Sequence, residues 1–296
     1  MSMTRKSSGK LRRTDDIAAY LLLAPFLLFI LAFTVYPVIQ NLYYSFTNYN
    51  LGRPPTWIGL RNYTRLLSDE VFQQAVLNTI LFAVFSVAGL LVLSLCAAIA
   101  LNRATRWARA VRAVTLYPYA MSMVAVSMVW LLLLDPTTGY INKLLSILHL
   151  PRRMWLFDPS LALGCLIAIN IWKGVGYCML VLLAGMQAID TALYDAARVD
   201  GANAFGQIRH ITLPGLKPVL LFVSVNSCIA AFKTFEQVQN MTGGGPLYTT
   251  TTIVHQIYQS GFGEYKMGYA ASMSVVLLIM LLIVTALNFR AYGMED

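Results

Sequence analysis

Lys173 and Lys233 fall inside long apolar stretches of this 296-residue chain, where ionisable groups are otherwise excluded. A charge at the centre of a bilayer costs roughly 2.5–3.5 kcal/mol on insertion scales, so a residue kept there is a candidate for handling a polar solute. The same two stretches hold Asn170, Trp172 and Tyr177, and then Asn226, Phe232, Thr234, Glu236 and Gln237. Aromatic faces beside hydrogen-bonding groups suit a carbohydrate ring. The plainer alternative is that Lys173, Lys233 and Glu236 lie near the ends of apolar runs and extend to the interface. Glu236 follows Lys233 by three residues, a spacing that on a continuous helix puts both on one face and pairs them, leaving Lys173 as the freer charge. Nucleophilic and metal chemistry find no support. His149, His210 and His255 are scattered, and Cys96, Cys165, Cys178 and Cys228 lack ligand spacing, which reads them as small core residues. There is no GxxxxGK[ST] phosphate loop, so any ATP hydrolysis must come from another chain. The expectation is no catalytic residue, no metal and no cofactor in this chain.

The elements that hold these residues must be membrane helices. Hydrophobic residues make up 58% of the chain and charged ones 12%, with a mean hydropathy of +0.63, whereas soluble domains carry about 25% charged residues. Six apolar segments are predicted as spans, at about Ile17–Tyr36, Phe72–Leu101, Val114–Leu134, Leu161–Met186, Val219–Phe235 and Met267–Phe289. The fold class is therefore all-α and polytopic, with a basic tail over 1–14 and one transmembrane domain over 15–296. The run after Arg5, Lys6, Lys10, Arg12 and Arg13 is longer than a signal-peptide core and has no clear cleavage site, which favours an uncleaved first span. The net charge of +9 is spread over loops, an argument against nucleic acid. Segments on the N-terminal side, including Arg103, Arg106, Arg109, Arg112, Arg198, Arg209 and Lys217, hold the excess of Lys and Arg, so both termini are expected in the cytoplasm. Tyr43, Tyr44, Tyr49 and Trp57 fall in the first external loop, a composition typical of the interface.

The loop between spans four and five, about 188–218, reads as structured. Asp190 or Thr191 can cap a helix, and Leu193, Ala196 and Ala197 recur at helical spacing opposite Asp195 and Arg198. Gly201 can end that helix in a left-handed conformation, and Pro214 and Pro218 fix the return to the membrane. Periodicity alone leaves two possibilities, a helix lying on lipid and one docking into a partner.

The stretch YDAARVDGANAFGQIRHITLPGLKP resembles the EAA loop of permease subunits of binding-protein-dependent ABC importers, with Asp195, Ala196, Ala197, Asp200, Gly201, Ala202, Leu213 and Pro214 in the matching order. Asp195 stands where that family usually has Glu. A second stretch, MTGGGPLYTTTTIVHQIYQSGF, and the opening LLLAPFLLFILAFTVYPVIQNLYYSF are similar to carbohydrate-type permeases, including those for maltose and glycerol-3-phosphate. This resemblance implies a type I importer permease fold in the bacterial inner membrane. It also implies a second homologous permease, a cytoplasmic ATPase dimer carrying the ATP and Mg, and an extracytoplasmic solute-binding protein. ATPase coupling would fall to Asp195, Ala196, Ala197, Asp200, Gly201, Leu213 and Pro214. Lys173, Gly174, Tyr177, Ile229, Phe232, Lys233 and Glu236 would lie nearest a sugar or oligosaccharide. An anionic solute is the alternative within the same class, and a secondary transporter is the rival class.

Overall fold

The computed structural model describes residues 20, 22–103 and 105–292. The tail over 1–14 and the expected start of span one at Ile17 lie outside the described residues. In chain order the helices are α1 (Leu22–Ser45), α2 (Arg61–Ser68), α3 (Glu70–Leu101), α4 (Arg106–Ala120), α5 (Met123–Leu134) and α6 (Tyr140–Ile147). Then follow α7 (Ala162–Gln187), α8 (Thr191–Val199), α9 (Ala204–Gly215) and α10 (Lys217–Phe232), α11 (Glu236–Met241), α12 (Ile253–Tyr258) and α13 (Met267–Ala291). Helices α1, α3, α7 and α13 are each long and apolar enough to cross a bilayer. Two further apolar stretches are bent helix pairs, α4 with α5 at 101° and α9 with α10 at 67°, which bring the spans to six when each is counted as one.

Three expected spans are corrected. The first does not stop at Tyr36 but runs to Ser45, so Tyr43 and Tyr44 belong to the helix rather than the loop. Pro37 is tolerated inside α1 because the preceding turn, Leu31–Val35, widens to a π-helix, which absorbs the missing N–H donor. The third, expected as one helix over Val114–Leu134, breaks at Met121–Ser122. Pro118 weakens the end of α4, and the Ser122 side chain accepts from the Ala125 N–H to start α5 afresh. The fifth ends at Phe232 rather than Phe235, and Phe235 turns to φ −139° before α11 begins.

Apolar packing falls into two clusters. One joins Phe72 and Phe82 of α3 to Leu166 and Ile169 of α7, with Val238, Ile253 and Tyr269. The other joins Leu90 and Ala98 of α3 to Met179, Leu182 and Met186 of α7, with Leu216. The early halves of α3 and α7 thus pack together and so do their late halves, so the two run parallel, and the start of α3 is at the opposite end of the bundle from the end of α7. Phe26, Phe29 and Phe33 of α1, and Leu282 and Ile283 of α13, remain exposed, as bilayer-facing side chains do. Cys178 is buried and Cys165 and Cys228 half-buried, whereas Cys96 is exposed, which corrects its assignment to the core.

Candidate functional site

A cavity of about 530 Å³ opens where the α4–α5 break and the unwound end of α10 meet α7. From α7 it takes Asn170, Lys173, Gly174 and Tyr177; from the α4–α5 break, Tyr119 and Met123; from the end of α10, Asn226, Ser227 and Ala230. Lys233, Thr234 and Phe235 of the unwound stretch and Glu236 and Gln237 of α11 complete the wall. Unwound backbone at membrane depth is tolerated where it is buried in protein or lines such a cavity. Gln237 fixes this one: only 1% exposed, its Nε2 donates to the Leu166 carbonyl at 2.6 Å.

One wall is aromatic. Tyr119 and Tyr177 stack with ring centroids 4.5 Å apart and planes 8° from parallel. Lys173 Nζ donates to the Tyr119 carbonyl at 3.1 Å and sits 5.3 Å from the Tyr119 ring centroid. A carbonyl and a π-face therefore share its charge. Close approach of α4 to α7 makes the stack possible, because a Cβ on Gly176 would come within 2.0 Å of the Thr115 carbonyl oxygen.

Among the seven pathway residues implied by the resemblance, Lys173, Gly174, Tyr177, Lys233 and Glu236 line the cavity. Ile229 is half-buried outside it, and Phe232, 4% exposed, packs into the core and borders an apolar groove between α3, α10 and α13. The expected Lys233–Glu236 pair does not form among the described residues. The helix ends between the two, so three-residue spacing no longer places them on one face. Trp172 turns away and packs edge-on against Trp130, with centroids 5.4 Å apart. Sequence reasoning missed Tyr119. Its signal was Pro118 followed by Ser122, a helix breaker and a helix cap inside one apolar run.

Beyond the end of α7, α8 has no buried residue. Asp190 caps it by accepting from the Ala192 N–H. It ends in a Schellman arrangement, with Ala202 N–H donating to the Ala197 carbonyl at 2.8 Å and Gly201 N–H to that of Arg198 at 3.1 Å. Gly201 has φ +78°. Asp195 and Arg198 pair at 3.0 Å on the solvent side, while Leu193, Val199 and Phe205 stand 54%, 88% and 69% exposed. Leu213 and Pro214 lie at the end of α9, whose Thr212 hydroxyl is 3.0 Å from the Tyr194 hydroxyl. Asp195, Ala196, Ala197, Asp200, Gly201, Leu213 and Pro214 thus share one projecting helix–turn–helix.

Up to six apolar spans gathered around a polar cavity, with an exposed capped helix pair beyond the end of α7, make the framework of a membrane permease. The chain belongs to the family of binding-protein-dependent transport system inner membrane components, whose profile matches residues 89–292. It is 33% identical over 283 residues to the sn-glycerol-3-phosphate transport system permease protein UgpA of Agrobacterium fabrum, covering 93% of this chain and 94% of that one. With the trehalose/maltose transport system permease protein MalF of Thermococcus litoralis the identity is 33% over 285 residues, covering 94% and 95%. A chain in the crystal structure of a bacterial alginate ABC transporter, in complex with an alginate pentasaccharide-bound periplasmic protein, superposes with a TM-score of 0.84 at 26% identity, covering 96% of each. The protein is an integral membrane permease subunit of an ABC importer, not an enzyme. Family membership excludes the secondary transporter, even though two spans are broken as transporter helices often are.

Proposed function

We propose that this subunit forms half of the import pathway for a neutral sugar or oligosaccharide, and that it pairs with a second homologous permease above a cytoplasmic ATPase dimer. One observation carries the solute reading, the flat Tyr119–Tyr177 stack sharing a single cavity with Asn170 and Asn226. Aromatic faces and amide groups match the apolar faces and hydroxyls of a sugar ring. α8, with its tight Gly201 turn and exposed Leu193 and Val199, is the element that enters the ATPase, with Asp195 as a polar anchor; ATP and Mg are bound by that partner. An extracytoplasmic solute-binding protein delivers the ligand. Both termini lie in the cytoplasm, on the side of α8.

A second reading, an anionic solute, is favoured by two cavity cations, Lys173 and Lys233, against the one carboxylate of Glu236. The trehalose/maltose relative supports the first reading, and the glycerol-3-phosphate and alginate systems the second. Lys173→Gln and Lys233→Gln in the reconstituted importer separate them. Uptake of the transported solute that persists in both variants supports the neutral sugar. Loss of uptake in either, with normal insertion and basal ATPase activity, points to an anion.

A further inference from the structure

A second polar concavity, of about 570 Å³, lies between α2, the loop before it and the start of α13. α2 leads into the start of α3, so this concavity is at the opposite end of the bundle from α8. Arg61, Arg65 and Lys266 line it together with Thr64 and Tyr269. Its acidic neighbours are already engaged. Asp69 Oδ1 accepts from the Val71 and Phe72 N–H groups at the head of α3, and its Oδ2 accepts from the Tyr269 hydroxyl at 2.6 Å. Glu264 pairs with Lys266 at 2.7 Å. Arg65 lies 4.4 Å over the Tyr269 ring, and among the described residues neither Arg61 nor Arg65 makes an ion pair. Two guanidiniums with no carboxylate partner therefore face one concavity, held by a short helix whose inner side, Asn62 and Leu66, is buried.

The flank of α2 next to those arginines is apolar. Leu60 and Leu67, seven residues apart, are 63% and 79% exposed, and Trp57 in the preceding loop is 63% exposed. A basic face beside an exposed apolar stripe, with a tryptophan, is the composition of a helix lying in the headgroup region. We infer that this concavity binds the headgroup of an anionic phospholipid, its phosphate held by the guanidinium forks of Arg61 and Arg65 with Lys266 at the margin, and its acyl chains passing beside Leu60 and Leu67. Arginine matches phosphate oxygens in bidentate geometry, which makes Arg61 and Arg65 the specific contacts and Lys266 a supporting charge. The inference is independent of which solute is carried.

The test uses the purified full-length chain, with dihexanoyl phosphatidylglycerol, dihexanoyl phosphatidylcholine and inorganic phosphate as separate probes and native mass spectrometry as the readout. Phosphatidylglycerol should be retained in preference to phosphatidylcholine. Its affinity should fall roughly fivefold for Arg61→Gln and roughly 25-fold for Arg61→Gln with Arg65→Gln, the scale expected for charges at a lipid surface. Arg106→Gln, at the other end of the bundle, should leave binding unchanged, and Arg61→Lys with Arg65→Lys should keep part of it. Equal retention of the two lipids, or full retention by the double Gln variant, overturns the inference. Inorganic phosphate binding as tightly as the lipid overturns a lipid occupant. So does a double Gln variant that loses capture of the solute-binding protein while its lipid retention is unchanged, because the arginines would then serve that protein's carboxylates.

Discussion

Tyr119 reaches the cavity because α4 stops one residue later, and its ring then lies flat on Tyr177. Stacked aromatic pairs contribute about 0.5–1.5 kcal/mol beyond area burial. Tyr119→Phe keeps the stack and also the backbone carbonyl that Lys173 uses, so solute uptake in proteoliposomes should stay near normal. Tyr119→Ala removes the ring and should cut uptake several-fold with basal ATPase activity intact; equal uptake by the two variants would rule out the platform. Gly176→Ala is harsher, since its Cβ would fall on the Thr115 carbonyl. Forcing bulk into a packed contact costs typically about 1–3 kcal/mol, and the purified variant should melt several degrees lower. Lys173, Tyr177 and Glu236 were legible in the sequence as polar residues in apolar runs. Tyr119 was not, because its position depends on a bend whose two causes, Pro118 and Ser122, are each ordinary alone.

The helix pair α8–α9 was the most legible element. Its cap at Asp190, its ion pair and its glycine turn are all local, and local chemistry is what a sequence displays. Gly201 has φ +78° with nothing near its absent side chain, so Gly201→Asp strains the backbone without a clash. The variant should insert normally yet lose ATP-coupled uptake by at least tenfold, about 1.4 kcal/mol of coupling; normal uptake would return α8 to the lipid surface. The end of span five at Phe232 was hidden, because neither glycine nor proline marks it within Val219–Phe235, and the contact that anchors the following turn, Gln237 to the Leu166 carbonyl, is long-range. Beyond α11, Thr250, Thr251 and Thr252 are buried, with hydroxyls bonded to the Gly245, Gly244 and Thr234 carbonyls. His255, 3% exposed, packs beneath them with neither ring nitrogen bonded. Burial pushes its imidazole below the usual range. An unfolded histidine takes up its proton near pH 6.5, before the folded one does, so stability is full above that pH and declines as pH falls below it. Hydrogen exchange at the amides of 250–253, corrected for intrinsic rate, should accelerate between pH 7.5 and 5.5. His255→Gln should flatten that dependence.

At the scale of the whole molecule, the proposed heterodimer makes this chain one wall of a pathway. Reconstituted without partner subunits it should show no ATP-driven uptake in a vesicle transport assay, and full uptake by the isolated chain would refute the heterodimer. Cysteines placed at Val199 and Leu67 should react with an impermeant reagent from opposite sides of the membrane, which checks the proposed orientation. α1 carries a further consequence. It has no buried residue in its most apolar window, and it packs chiefly on α13. Beyond its end the chain is tied there by the Gly268 N–H donating to the Tyr49 carbonyl at 2.8 Å and the Leu51 N–H to that of Tyr265 at 3.3 Å. The first span made thus finds its partner in the last. Until α13 is made only the end of α1 is held, at Ser45 by Asn62 and Tyr63 of α2, and closing the contact of its apolar length on α13 is a late, high-contact-order step. Until then the nascent chain has its second to fifth spans free to pack in sequence while its first is tethered to them only through α2, so a ribosome stalled before α13 leaves a bundle whose outer helix has no partner along its length.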